Sequence, residues 1–184
     1  MNLVSILRFF GLASVVAFVF VSIPAFAQSE TIMTDEHIAK IKSNCQIARA
    51  SLSQVHANDA PTYVNRNQTY FSIGDKMMAT LNGRLSLNRY DASELVKTAS
   101  YYNDLVGKFR EAYRDYDDAM SAAVKTDCSK RPVGFYDKVA LARDARKKVH
   151  DIVVKLTLVL KEYRQEVVLF ETKYLKGSAA ESRP

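Results

Sequence analysis

The stretch LVKTASYYNDLVGKFREAYRDYDDAMSAA, residues 95–123, decides the fold class. Its apolar and aromatic side chains recur at alternating steps of four and three residues, and none of these positions is charged. They are Leu95, Ala99, Tyr102, Val106, Phe109, Tyr113, Tyr116, Met120 and Ala123. This spacing is typical of α-helices that pack side by side at shallow angles, as in bundles and coiled coils. The stretch therefore predicts one long helix of such a bundle.

The same spacing extends to both sides of this stretch. Toward the C-terminus it runs from Phe135 to Tyr174, and Arg146 is its only charged position. Toward the N-terminus there are two further stripes, of which the second is interrupted by Asn67 and Gly74. These stripes are Ile38, Ile41, Cys45, Ala48, Leu52 and Val55, and then Val64, Phe71, Met78, Leu81 and Leu85.

Capping residues and prolines divide the pattern into four predicted helices. The first begins at Thr34, and Asn58–Pro61 ends it and begins the second, because proline fits the first turn of a helix but not its interior. The third begins at Asp91–Glu94, and Pro132 begins the fourth. Short connections make neighbouring helices antiparallel. We expect an all-α fold, an elongated antiparallel four-helix bundle that resembles a coiled coil.

The N-terminus predicts export. Arg8 precedes an uncharged apolar run, and after Pro24 the small residues Ala25 and Ala27 occupy the −3 and −1 positions, which is the layout of a secretory signal peptide cleaved after Ala27. The alternative is an uncleaved signal anchor formed by residues 9–26, since about 20 apolar residues span a bilayer. In both cases the chain from Gln28 onward lies outside the cytoplasm, in the periplasm, in the cell envelope or secreted.

The predicted domain organisation follows from these boundaries. Residues 1–27 are the signal sequence, residues 28–33 a linker, residues 34–176 the helical domain and residues 177–184 a flexible tail. With 48% hydrophobic residues the chain has too much apolar material to be disordered, and 6 glycines and 4 prolines are too few for the turns of an all-β protein.

Two cysteines, Cys45 and Cys128, lie in the part expected to be exported. An even number in an oxidising compartment favours a disulfide, and two separate buried thiols are the alternative. In an ideal four-helix bundle the two positions lie about 25 Å apart, whereas a disulfide needs Cα atoms within about 7 Å. We therefore expect the third helix to end early, so that the loop with Cys128 folds back along the first helix.

Asn67 and Arg146 interrupt the apolar stripes at about the same height of the predicted bundle, close to Glu111 and Asp115. We expect a polar layer in the core, because a buried asparagine often specifies helix register and a buried arginine needs a carboxylate partner. An arginine that extends outward to solvent, or a polar pocket for an anionic ligand, are the alternatives.

The fourth predicted helix extends beyond its neighbours at the end where the first helix begins. The overhang carries Val167, Phe170 and Tyr174. Such apolar side chains need cover from another subunit, a folded-back N-terminus or a membrane surface, so they are a predicted interface.

No motif for catalysis, a metal or a cofactor stands out. His37, His56 and His150 have no second histidine or cysteine at ligand spacing, and the Glu-x-x-His pairs of di-iron bundles are missing. We therefore expect no catalytic residues, no metal ligands, no cofactor and no enzymatic activity.

The formal net charge of +6 includes a basic block around the last predicted break. This block consists of Lys130, Arg131, Lys138, Arg143, Arg146, Lys147 and Lys148. An anionic envelope surface is therefore one expected partner. Nucleic acid is not, because no recognition motif accompanies the charge.

Several short segments resemble a family of exported α-helical proteins from reduced-genome bacteria. These segments are Asn44-Cys45, Val64–Tyr70, Leu81–Leu85 with Asn88-Arg89, Asp127-Cys128 with Phe135-Tyr136, and Ala142–Arg146. The resemblance covers most of the part expected to be exported. It implies a bacterial, signal-bearing helical protein and brings no activity, cofactor or site residue with it.

Together these features predict a non-enzymatic exported or envelope-associated protein that acts in protein interaction or self-assembly. A periplasmic holdase-type chaperone is the alternative, since small basic exported coiled-coil proteins are similar in composition.

Overall fold

The computed structural model describes residues 33–176, which belong to one compact unit beginning at Met33. The predicted signal sequence, most of the predicted linker and the predicted tail lie outside the described residues. The helices are α1 (Asp35–Ser43), α2 (Cys45–Phe71), α3 (Ala79–Leu87), α4 (Ser93–Lys125) and α5 (Pro132–Glu171), with π-helical segments at Ser72–Met78 and Thr172–Lys176. The predicted all-α bundle is confirmed, and residues 33–176 contain no strand.

The turn predicted at Asn58–Pro61 is wrong, because α2 continues through Pro61. Pro61 lies on the exposed side of the helix, where water can satisfy the carbonyl that loses its N–H donor. The first two predicted helices therefore form one rod, from α1 to α3. Helices α4 and α5 are the second and third rods of the described residues 33–176, and neighbouring rods along the chain are antiparallel. The chain reverses its direction in the turn before α4 and again in the loop before α5.

Helix α4 is the central element of the core. It packs along α5 on one side and along α2, the first π-helical segment and α3 on the other. The stripe predicted from residues 95–123 is confirmed, since eight of its nine side chains are buried and Tyr113 is half-buried. Contact on two sides also buries Thr98, Leu105 and Ala112. The largest fully buried side chains include Tyr102, Phe109, Met78 and Leu156.

The stripe predicted for the second helix is wrong in its first half. Val64 and Phe71 are 48% and 47% exposed, whereas Tyr63 and Tyr70 pack against the core. The pattern Val64-Phe71-Met78 crosses a π-helical segment, whose wider turns shift which residues share a face. Gly74, in this segment, lies so close to α4 that a Cβ there would contact Tyr102 and Asn103.

Cys45 and Cys128 form a disulfide with Cα atoms 5.5 Å apart, as predicted. The expected explanation of the disulfide, an early end of the third predicted helix, is wrong, because α4 runs to Lys125. Since α2 continues past Pro61, Cys45 lies at the end of the bundle that also holds the α4–α5 loop. Both cysteines are buried beside Phe135.

Candidate functional site

The inward face of α2 carries polar side chains that are paired with residues of α4. His56 Nε2 lies 2.7 Å from Asp117 Oδ1. The hydroxyl of Tyr116 donates a hydrogen bond to Asp59 Oδ2 at 2.5 Å. His56 and Asp59 continue the three-and-four spacing of the first apolar stripe beyond Leu52. Helix α2 therefore keeps one face toward the core, although that face becomes polar.

Asn67 and Arg146 do not form the predicted polar layer, because each has a different partner. Asn67 Oδ1 accepts a hydrogen bond from Arg110 Nε at 2.7 Å. Arg146 has a side chain that is 61% exposed, and its Nη2 lies 3.6 Å from Asp59 Oδ2. Asp59 and Asn67 are eight residues apart, about 12 Å along α2. The prediction of a polar layer is therefore wrong, and Arg146 instead extends outward to solvent, as in the alternative prediction.

A pocket of about 380 Å³, called here the three-helix pocket, lies where Arg146 meets α2 and α4. Each helix contributes residues at the three- and four-residue spacing that keeps side chains on one face. Its lining consists of Asp59, Thr62, Tyr63 and Arg66 from α2, Phe109, Tyr113 and Tyr116 from α4, and Arg146, Val149 and His150 from α5.

Two phenols of the pocket differ in how their hydroxyls are used. Burial raises the pKa of Tyr116, and its hydrogen bond to Asp59 raises it further. Burial also raises the pKa of Tyr113, with smaller contributions from Asp117 and Asp59. Both phenols are therefore protonated donors at neutral pH. The Tyr116 hydroxyl is engaged, whereas the buried Tyr113 hydroxyl has no hydrogen-bond partner among residues 33–176.

The overhang predicted at Val167, Phe170 and Tyr174 is wrong. The C-terminal part of α5 lies beside the α3–α4 turn, and Tyr90 of that turn covers it. The ring centroid of Tyr90 is 5.5 Å from that of Phe170 and 5.2 Å from that of Tyr174. Val167 and Phe170 also pack against the core. These three side chains are half-buried within the chain itself, and their exposed neighbours are Val168 and Leu169.

The solvent side of α5 carries a mixed apolar and basic surface, called here the outer face of α5. Its members lie within a sector of about 100° on an ideal helix and are all exposed. Its apolar side chains are 44% to 69% exposed, with Leu169 the highest. The face consists of Arg143, Lys147, Val154, Leu158, Lys161, Gln165, Val168 and Leu169, with the exposed His150 and Asp151 at its two edges.

Within the described range, no group of three or more histidine, cysteine, aspartate or glutamate side chains is arranged to hold a metal ion. No helix among the described residues is long and apolar enough to span a membrane. Comparison of the chain with models of known protein families, with curated proteins and with solved structures found no match. A function is therefore inferred from the geometry of the pocket and of the outer face of α5.

Sequence analysis missed most of the three-helix pocket. Asp59 was assigned to a turn, and Tyr113 and Tyr116 were assigned only to the core. The signal that locates the α2 side of the pocket is the continuation of the first stripe beyond Leu52, through His56, Asp59 and Tyr63, at an unbroken spacing of four, three and four.

Proposed function

We propose that the protein is an exported, non-enzymatic helical protein that binds another protein through the outer face of α5. The observation that carries this proposal is the row of exposed apolar side chains on that face, from Val154 to Leu169. Exposed apolar side chains that share one helix face are a common feature of surfaces that bind another helix.

The charge of the face favours one kind of partner. Arg143, Lys147 and Lys161 lie among the apolar side chains, while Asp151 and Glu162 lie along one edge. Two copies of this face would repel each other through their central cations, whereas an amphipathic helix with acidic residues beside its apolar seam would complement it. We therefore propose an acidic amphipathic helix of another protein as the partner, and self-assembly is an outcome that the experiment can reveal.

The proposed export rests on the layout of residues 1–27 and on the disulfide, since disulfides persist in oxidising compartments. The test is the intact mass and the N-terminal sequence of the protein recovered from its native host. We expect the chain to begin at Gln28 and its mass to rise by two hydrogens on reduction. A chain that still begins at Met1 would contradict cleavage, and a mass unchanged by reductant would contradict the oxidising compartment.

Site-specific photocrosslinking tests the proposed interface. A photoreactive amino acid replaces Leu158 or Leu169 in the full chain, and Ile47, which like Leu169 is 69% exposed but lies on another rod, is the control. We expect one adduct of defined mass from both α5 positions, none from the control, and loss of the adduct on Lys161→Glu. An adduct of twice the mass of the chain would mean self-assembly instead. No adduct from either α5 position would overturn the proposal.

The holdase-type chaperone is a second candidate, because large exposed apolar side chains also occur on the rod from α1 to α3. Ile47, Met77 and Leu87 are each more than 60% exposed. A holdase would give many adducts from all crosslinking positions and would suppress the aggregation of an unfolded client at a stoichiometric ratio. One defined adduct and no suppression would exclude it.

A further inference from the structure

The three-helix pocket contains more positive than negative charge. Its carboxylate, Asp59, is shared between the Tyr116 hydroxyl and the Arg146 guanidinium. Arg66 lies on the same face of α2, seven residues or two turns after Asp59, and has no ion-pair or hydrogen-bond partner among residues 33–176. The pocket therefore presents a guanidinium group that no carboxylate of the described chain neutralises.

Tyr113, one of the residues that line the pocket, carries a hydroxyl donor that no residue among 33–176 engages. This hydroxyl is buried, and the Tyr113 ring is held firmly by stacking on Tyr63, with centroids 3.7 Å apart and ring planes at 7°. A buried hydroxyl without a partner destabilises the fold, and such groups in native proteins call for an explanation. An acceptor atom on a bound molecule would satisfy it.

The remaining walls are apolar and aromatic. Phe109 is 1% exposed, and Val149 and the ring of Tyr63 are partly buried beside it. An apolar body can therefore lie against these side chains while a charged group remains near Arg66 and Arg146. A volume of about 380 Å³ falls at the lower end of the range for small-molecule sites.

From this combination we infer that the three-helix pocket binds a small organic monocarboxylate with an apolar body. The carboxylate pairs with the guanidinium groups of Arg66 and Arg146 and accepts a hydrogen bond from the Tyr113 hydroxyl. The apolar body packs against Phe109 and Val149. This inference goes beyond the proposed protein interaction and does not depend on it, because the pocket lies between the helices and the outer face of α5 faces solvent.

The test compares 3-phenylpropionate with its neutral amide, 3-phenylpropanamide, by isothermal titration calorimetry on the full chain. The two probes have nearly the same shape, so a difference in affinity reports the recognition of charge. We expect the carboxylate to bind at least tenfold more tightly, since only the carboxylate forms an ion pair with a guanidinium and can accept two parallel hydrogen bonds from it. Equal affinities, or no saturable binding of the carboxylate, would overturn the inference.

Two pocket variants and one control variant test whether the carboxylate binds in the pocket. Arg66→Gln should weaken carboxylate binding about tenfold, while Arg164→Gln, a matched loss of charge outside the pocket, should leave it unchanged. Tyr113→Phe should also weaken binding without loss of stability, because it removes a hydroxyl that has no hydrogen-bond partner within the described range. Unchanged affinity in Arg66→Gln, or equal weakening in Arg164→Gln, would contradict the site.

Discussion

At the scale of single residues, the buried contact between Tyr163 and Asn82 shows how the core tolerates polar groups. The Tyr163 hydroxyl donates to Asn82 Oδ1 at 2.9 Å, and Asn82 Nδ2 donates to the carbonyl oxygen of Leu95 at 3.2 Å. Two side chains thereby join α3, the start of α4 and the C-terminal half of α5. The contact lies close to the α3–α4 turn, where it connects all three rods.

Replacement of Tyr163 by Phe tests this contact. The Asn82 carbonyl would remain buried without its donor, so we expect the free energy of unfolding to fall by about 1–3 kcal/mol. Tyr136→Phe is the control, because Tyr136 is 37% exposed and removal of its hydroxyl leaves no buried acceptor unpaired. Urea unfolding followed by circular dichroism measures both variants. Equal free energies for the two variants would mean that the buried contact contributes nothing.

Two buried tyrosines of the core, Tyr102 and Tyr163, are expected to make the free energy of unfolding decrease at alkaline pH. Burial raises the pKa of Tyr102 and of Tyr163 from 10.0 to about 12. Because the pKa is higher in the folded than in the unfolded state, the contribution to stability is complete below pH 10 and is lost as the pH rises toward 12. We expect the urea midpoint to decrease across this interval, and Tyr102→Phe to make the decrease shallower. An identical pH profile in that variant would contradict the assignment.

At the scale of elements, the predictability of each helix depended on the chemistry of its inward face. The nine-residue stripe of α4 is apolar or aromatic at every position, so its spacing could be recognised in the sequence from Leu95 to Ala123. The inward face of α2 becomes polar at His56 and Asp59, where each side chain has a partner on α4. Hydropathy spacing does not reveal such partners, so Pro61 was interpreted as the start of a new helix.

Replacement of Pro61 by Ala distinguishes a continuous α2 from the turn that the sequence predicted. Within a helix, proline is about 3 kcal/mol less favourable than alanine. Since Pro61 is exposed and makes little packing contact, we expect Pro61→Ala to raise the free energy of unfolding by about 1–3 kcal/mol.

Pro132 provides the matched control. It is buried and lies in the first turn of α5, where proline is favoured, so Pro132→Ala should be destabilising. Opposite signs for the two substitutions, measured by thermal and urea unfolding, support the continuous helix. A loss of stability in Pro61→Ala similar to that in Pro132→Ala would mean that a helix begins at Pro61.

At the scale of the whole described unit, the continuity of α2 explains two outcomes that the four-helix arrangement could not predict. It brings Cys45 to the same end as Cys128, and it aligns Asp59 with Arg146. The helical class and the disulfide pair could be predicted from local spacing and cysteine number. The pocket could not, because it depends on which residues of three distant segments meet.

The disulfide is expected to be the largest single stabilising element of this arrangement. It joins residues 83 positions apart, so it closes a long loop of the unfolded chain, and loop-closure entropy for such a separation gives about 4.5 kcal/mol. We expect the double variant Cys45→Ala/Cys128→Ala to lose about 2–5 kcal/mol of unfolding free energy and to keep its helical circular dichroism spectrum. Alanine is chosen because serine would place a hydroxyl in a site where the two sulfurs are at most 2% exposed. The wild-type chain unfolded in reductant is the control and should match the double variant. If the oxidised, reduced and double-alanine forms all unfold at the same urea concentration, then the bond restricts nothing and the three rods are stable without it.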